Sequence, residues 1–160
     1  MLVRKINKAK WFNDGKIIED PSADAMTNCL KTTQNTLSVW LINSETEIED
    51  AVLAIVSGQD HLETIDIVML EDEYFIKCEI RTEETEGLTP VFDLRNKHRD
   101  LASLDFWTLG MVAYHIIENI KKNKLQRFTE AKLKKIIKNA IANNRLRLTD
   151  LKEDIQKKVI

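Results

Sequence analysis

Glycine and proline are scarce in this chain, four and two in 160 residues. No stretch is rich in Gly, Pro or Ser, which excludes a flexible linker and a low-complexity segment. No internal repeat occurs at solenoid spacing. The two cysteines, Cys29 and Cys78, lie far apart in apolar patterns without CxxC or Cys/His metal spacing. No apolar run approaches the roughly 18 residues that span a bilayer. The N-terminal MLVRKINKAKW carries charge with no apolar run behind it, unlike a secretory leader. The expectation is a cytoplasmic protein with no membrane association.

Enzyme signatures are also missing. There is no GxGxxG or GxxxxGK[ST] loop to cradle a phosphate, no HExxH and no GxSxG. The three histidines, His61, His98 and His115, have no ligand spacing. No metal and no cofactor are expected, and the balance leans away from an enzyme.

What the chain does have is opposed charge. Glu45 to Asp100 holds sixteen acidic and five basic residues, whereas Lys121 to Arg147 holds ten basic and one acidic, inside a total of −2. Fields of this kind inform on association rather than fold. They could attract polyanions, basic proteins or another copy of the chain, or they could pair internally or simply face water.

Periodicity predicts an α+β (or α/β) fold: a single domain over residues 1–160, with a sheet-containing half in 1–100 and a helical half in 101–160. Asp14-Gly15 predicts a type I′ hairpin within Trp11 to Ile18. Asp20 and Pro21 predict the start of a short helix burying Met26, Cys29 and Leu30. LSVWLI, residues 37–42, reads as a central strand buried on both faces. Ser44 and Glu47 predict a capping box ahead of a helix through Ile48, Val52, Ile55 and Val56, with Gly58 as a left-handed stop. Ile65 to Leu70 reads as a strand, and the alternation of Tyr74, Ile76, Cys78 and Ile80 as a half-buried one. From Leu101, apolar residues nearly all round predict a buried helix, with Asp100 as its cap. Thr129 caps the next helix, Phe128 and Leu133 forming a staple, and a last one from Thr149 buries Leu151, Ile155 and Val159. The result is a mixed sheet of about 4–6 strands with helices packed on it and a C-terminal subassembly of three helices.

His98-Arg99-Asp100-Leu101-Ala102 resembles the catalytic loop of protein kinases, and Asp105 to Gly110 resembles their later DxWxLG segment. The resemblance implies Asp100 as a proton acceptor and an Asn five residues later on magnesium. That fifth position is Asp105, no glycine-rich loop, V-A-I-K lysine or DFG is present, and the match stops after about a dozen residues. It is read as coincidence.

Three surfaces remain. The cluster Asp93, Arg95, His98, Arg99 and Asp100 offers weak catalytic candidates in His98, Arg95 and Asp93: the arginines gripping an anion, His98 moving a proton. The same pattern also arises from ordinary capping and surface pairing before a helix. Asp66 and Glu79 on a predicted hairpin are too sparse for a magnesium site. The basic segment places Lys132, Lys134, Lys135 and Lys138 along one helix with Arg145 and Arg147 after it, enough to neutralise several phosphates without reading sequence. His115 is expected to be a satisfied core histidine. The leading expectation is a protein-interaction or regulatory module, of the inhibitor, immunity or antitoxin kind, that binds another protein or itself through its opposed surfaces. Its acidic side would gather Glu45, Glu49, Glu71, Asp72, Glu83, Glu84 and Glu86. Sequence-nonspecific nucleic-acid binding through residues 129–147 is the alternative, and an enzyme using residues 93–100 the second.

Overall fold

Two strands in the middle of the chain's sheet part company after two residues, and the rest of the architecture is arranged around that wedge. The computed structural model describes residues 1–160. Its strands are β1 (Leu2–Ile6), β2 (Phe12–Asn13), β3 (Lys16–Ile17), β4 (Leu37–Leu41), β5 (Ile65–Leu70), β6 (Arg81–Glu84), β7 (His98–Ala102) and β8 (Leu125–Phe128). Its helices are α1 (Ala23–Cys29), α2 (Ile48–Ser57), α3 (Asp72–Lys77), α4 (Phe106–Lys121), α5 (Glu130–Ala142) and α6 (Glu153–Val159). Six strands form one sheet in the order β6-β7-β4-β1-β5-β8, every neighbour antiparallel. The β2–β3 hairpin stands apart, turning on Asp14 and Gly15 at φ 49° and 77°, as the Asp-Gly pair predicts.

Alternation along β1 explains the layers. Leu2 and Ile6 point to one face and Val3 to the other, so a charged N-terminal segment holds a buried central strand. The Val3 face packs α2, α5 and α6 through Val52, Val56, Leu133, Ile137 and Ile155. The Leu2 face packs α4, with Val112, Ile116, Ile117 and Ile120, and α1. The C-terminal third therefore supplies three helices, divided between the two faces, with β8 between α4 and α5. No helix is long and apolar enough to cross a membrane.

Several local expectations are corrected. Tyr74 to Arg81 is not a strand: α3 covers Asp72–Lys77, buries Phe75 and exposes Ile76, and the strand starts at Arg81. With the strand goes the Asp66/Glu79 hairpin, since Glu79 is the left-handed residue after α3, φ 57°. Ser22, not Asp20, caps α1, its hydroxyl accepting from Ala25 N. Ser44 makes no capping bond, and Glu47 reaches back to Asn43 N instead, at 3.0 Å. Gly58 has φ −89°, so no left-handed stop is needed; a Cβ there would lie 2.8 Å from the Leu88 carbonyl oxygen. Asp100 and Leu101 belong to β7, and α4 is capped by Asp105, whose carboxylate accepts from Thr108 N at 2.8 Å while the Thr108 hydroxyl accepts from Asp105 N.

Candidate functional site

Strand geometry separates the residues that looked clustered between 93 and 100. Phe92–Lys97 is a 3₁₀ turn and His98 begins β7, so successive side chains leave in different directions. Asp93 turns to the end of α5, where its carboxylate accepts from Arg145 Nη2 at 2.7 Å and Nε at 3.1 Å. Arg95 donates to the Thr89 carbonyl at 3.0 Å and lies over the Phe92 ring. Arg99 donates to the carbonyls of Asn96 and His98 and to Glu84. No pair of arginines converges on a common point beside His98.

His98 instead joins a network that local spacing could not show. Its Nδ1 lies 2.7 Å from the Thr85 hydroxyl, which donates to Asp100 Oδ2 at 3.0 Å, while Asp100 Oδ1 accepts from Ser38 Oγ at 3.2 Å. A hydroxyl has one proton to give, and the carboxylate takes Thr85's. His98 must therefore donate from Nδ1, which leaves the Nε2 lone pair without a protein partner. Burial lowers the His98 pKa, helped by Arg99 and opposed by Asp100, which favours the neutral ring. Trp40 meets it edge-on at 5.0 Å. The loop over both is pressed down at Gly87, where a Cβ would fall 2.5 Å from Trp40 Cη2.

The basic candidates split in two. Lys132, Lys135 and Lys138 stand on the outer face of α5 with no acidic partner, although Lys132 and Lys135 share a groove with Glu45 and Glu49. Lys134 is bonded to Glu130, Arg147 to Asp150 through two hydrogen bonds, and Arg145 to both Asp50 and Asp93. The opposed fields thus meet within the molecule: Glu45 with Lys124 at 2.7 Å, Asp66 with Arg127 at 2.7 Å and Glu71 with Lys122 at 3.6 Å join them. The seven acidic residues expected on one side do not share a face. Glu45 and Glu49 are by α2, Glu71 and Asp72 by α3, and Glu83, Glu84 and Glu86 near the β6 edge beside Arg81, Arg99 and Arg95.

The largest feature missed by periodicity is the outside of α4. A helix read as buried all round exposes Phe106 by 94%, Trp107 by 74% and Tyr114 by 47%. Trp107, Gly110 and Tyr114 follow helical i, i+3, i+7 spacing and form one outward stripe, with Met111 beside it partly buried against the core. The Asp105/Thr108 capping box holds the first turn, so the two aromatics sit on a formed helix end. Gly110 meets nothing within 4 Å where its Cβ would be, so no internal packing accounts for a residue that costs a helix about 1 kcal/mol relative to Ala. The inner side is fixed by His115, whose Nε2 accepts from Glu71 N at 3.1 Å and whose ring stacks on Tyr74 at 3.9 Å. Burial pulls its pKa down to about 4. Around the stripe stand carboxylates: Asp105 at its head, Asp20 accepting from the Tyr114 hydroxyl at 2.7 Å, and Glu19 and Glu118 around Lys121. Only the pattern F-W-x-x-G-M-x-x-Y in the sequence hinted at this surface, and there it is indistinguishable from core.

No protein-family model, curated protein or solved structure matches this chain.

Proposed function

We propose that the chain is a protein-interaction module that docks a basic amphipathic helix of a partner protein on the outer stripe of α4. The observation that carries this reading is the adjacent pair Phe106 and Trp107, both largely in water on a capped helix. Aromatic side chains are the commonest energetic anchors of protein interfaces, and contiguous exposed apolar surface marks interaction sites. The gap at Gly110 lets a second helix approach closely between Trp107 and Tyr114. The acidic rim of Asp20 and Asp105 favours a partner with lysines or arginines beside its apolar anchors. The two opposed charge fields serve this reading less well, because their members are engaged with one another.

Trp11 and Trp40 are buried, so Trp107 is the exposed indole. A photo-crosslinking residue at position 107 of the full chain, with position 138 as control, should trap one protein species in cells of origin. That species, purified, should bind the chain with an affinity that weakens with salt and falls about 30-fold in Trp107→Ala, a loss near 2 kcal/mol. Trp107→Ala should leave stability almost unchanged, as exposed substitutions do. Crosslinks only between copies of the chain, crosslinks equal to those of the control, or a partner indifferent to Trp107→Ala would overturn the reading.

A further inference from the structure

We propose a second binding site, in the wedge where β1 and β4 separate, for a small molecule with an oxyanion at one end and a hydroxyl or ammonium donor at the other. The strands pair only at Leu2 with Leu41 and Val3 with Trp40. Beyond these, β1 follows β5 as far as Ile6, and β4 follows β7 back to Leu37. The sheet is therefore split down its middle from Arg4 onward.

Arg4 stands in the split. Its Nη1 donates to the Ser38 carbonyl, and Nη2 and Nε donate to the Cys29 carbonyl at 2.6 and 3.2 Å. A guanidinium has five N–H donors; these bonds engage three and leave two. No carboxylate lies within ion-pair distance of it among the chain's salt bridges. The guanidinium is half-buried, partial burial lowers its pKa to about 10, and no carboxylate offsets its charge. An oxyanion would satisfy both the charge and the free N–H groups.

The cleft on the α2 side of the split has a volume of about 580 Å³, within the range of small-molecule sites. Lys5, Ser38, Thr85, Glu86, His98 and Asp100 line it from the α2 side, and Arg4, which shares its side of β1 with Leu2 and Ile6, reaches it through the gap between the strands. The two ends meet at Ser38, whose carbonyl is held by Arg4 and whose hydroxyl is held by Asp100. The Asp100 carboxylate and the unpartnered His98 Nε2 are acceptors, so the ligand's far end has to donate. A purely anionic ligand finds no donor there and is held through Arg4 alone, and a neutral one would leave Arg4 uncompensated. A neighbouring cleft of about 780 Å³, which Arg4 and Lys5 also line, is the poorer candidate. Its carboxylates, Glu63 and Asp66, are already paired with Lys5 and Arg127.

The test is an NMR amide titration of the full chain with inorganic phosphate and with O-phosphoethanolamine, which adds an ammonium group and no second anion. Both should give saturable shifts at Ser38, with those at His98 larger for O-phosphoethanolamine, which should bind at least about tenfold tighter, a difference of about 1.4 kcal/mol. Arg4→Met should abolish both. Should that variant not fold, Asp100→Asn decides: the affinity for O-phosphoethanolamine should fall to that for phosphate while phosphate binding persists. Absence of saturable shifts at these residues, shifts confined to the α5 lysines, or equal affinities unchanged by Asp100→Asn would overturn the proposal.

Discussion

Arg145 and Asp93, fifty-two positions apart, are joined by two hydrogen bonds of 2.7 and 3.1 Å. Each belonged, by sequence, to a different candidate surface, one basic and one catalytic. In the fold they satisfy each other, and Arg145 also holds Asp50 on α2 at 2.7 Å. These partners hold the Arg145 pKa above its usual value. Arg145→Ala removes the link between the end of α5, α2 and the 3₁₀ turn at Phe92–Lys97. Urea unfolding should show a loss of about 1–2 kcal/mol, discounted for partial exposure.

The same pairing limits nucleic-acid binding. With Arg145, Arg147 and Lys134 engaged, Lys132, Lys135 and Lys138 remain as free cations on α5. Any duplex binding should show a log–log salt dependence no steeper than about −3, since each neutralised phosphate contributes about −0.9. Anisotropy across a salt series measures it, and replacing all three lysines with Glu should remove it. A steeper slope would require a wider basic surface than this face provides.

Gly87 is set by its neighbour rather than by its backbone angles. A methyl group there would fall 2.5 Å from Trp40 Cη2 and 3.0 Å from His98 Cβ. Gly87→Ala must push the loop or the indole aside, at a cost of about 1–3 kcal/mol. Thermal unfolding should report it. A neutral result would mean that the loop lifts freely from Trp40.

His115 gives stability a defined pH dependence. Its native pKa is about 4 against an ordinary 6.5, so the unfolded chain takes up the proton first. Stability from this group is full above pH 6.5 and declines as pH falls toward 4. The urea midpoint of the natural chain should therefore drop between pH 7 and pH 5. His115→Gln, which keeps an acceptor for Glu71 N, should show a flatter profile in that interval. Equal slopes would remove His115 as the cause.

Elements whose burial is continuous or strongly periodic were legible in the sequence: β4, β5, α2 and α5 all lie where their apolar patterns predict. β1 was hidden because Arg4 and Lys5 interrupt its apolar residues. The chain tolerates Arg4 in mid-sheet only because β4 has moved away. β7 was hidden because His98, Arg99 and Asp100 look like loop residues, yet each finds a polar partner beside its strand. Across α3, a helix of six residues, and its C-cap, Tyr74, Ile76 and Cys78 happen to alternate, and the period alone misassigns them. The aromatic head of α4 shows a limit of another kind, since hydrophobicity does not say whether a core or a partner covers a side chain. The wedge residues Arg4, Ser38, Thr85 and His98 come from four separate segments, and no motif search over neighbouring positions could join them.

Because β1, the most N-terminal strand, lies between β4 and β5, the sheet cannot be assembled by adding hairpins in chain order. Its long pairing is with β5, about sixty positions later, and the loop closure this demands has to come before most of the interface it creates. Such non-local pairing slows folding. Until β5 arrives, a half-apolar strand with two free edges has no place in a sheet, so for this chain the hazard of self-association is greatest before the fold is complete rather than after it.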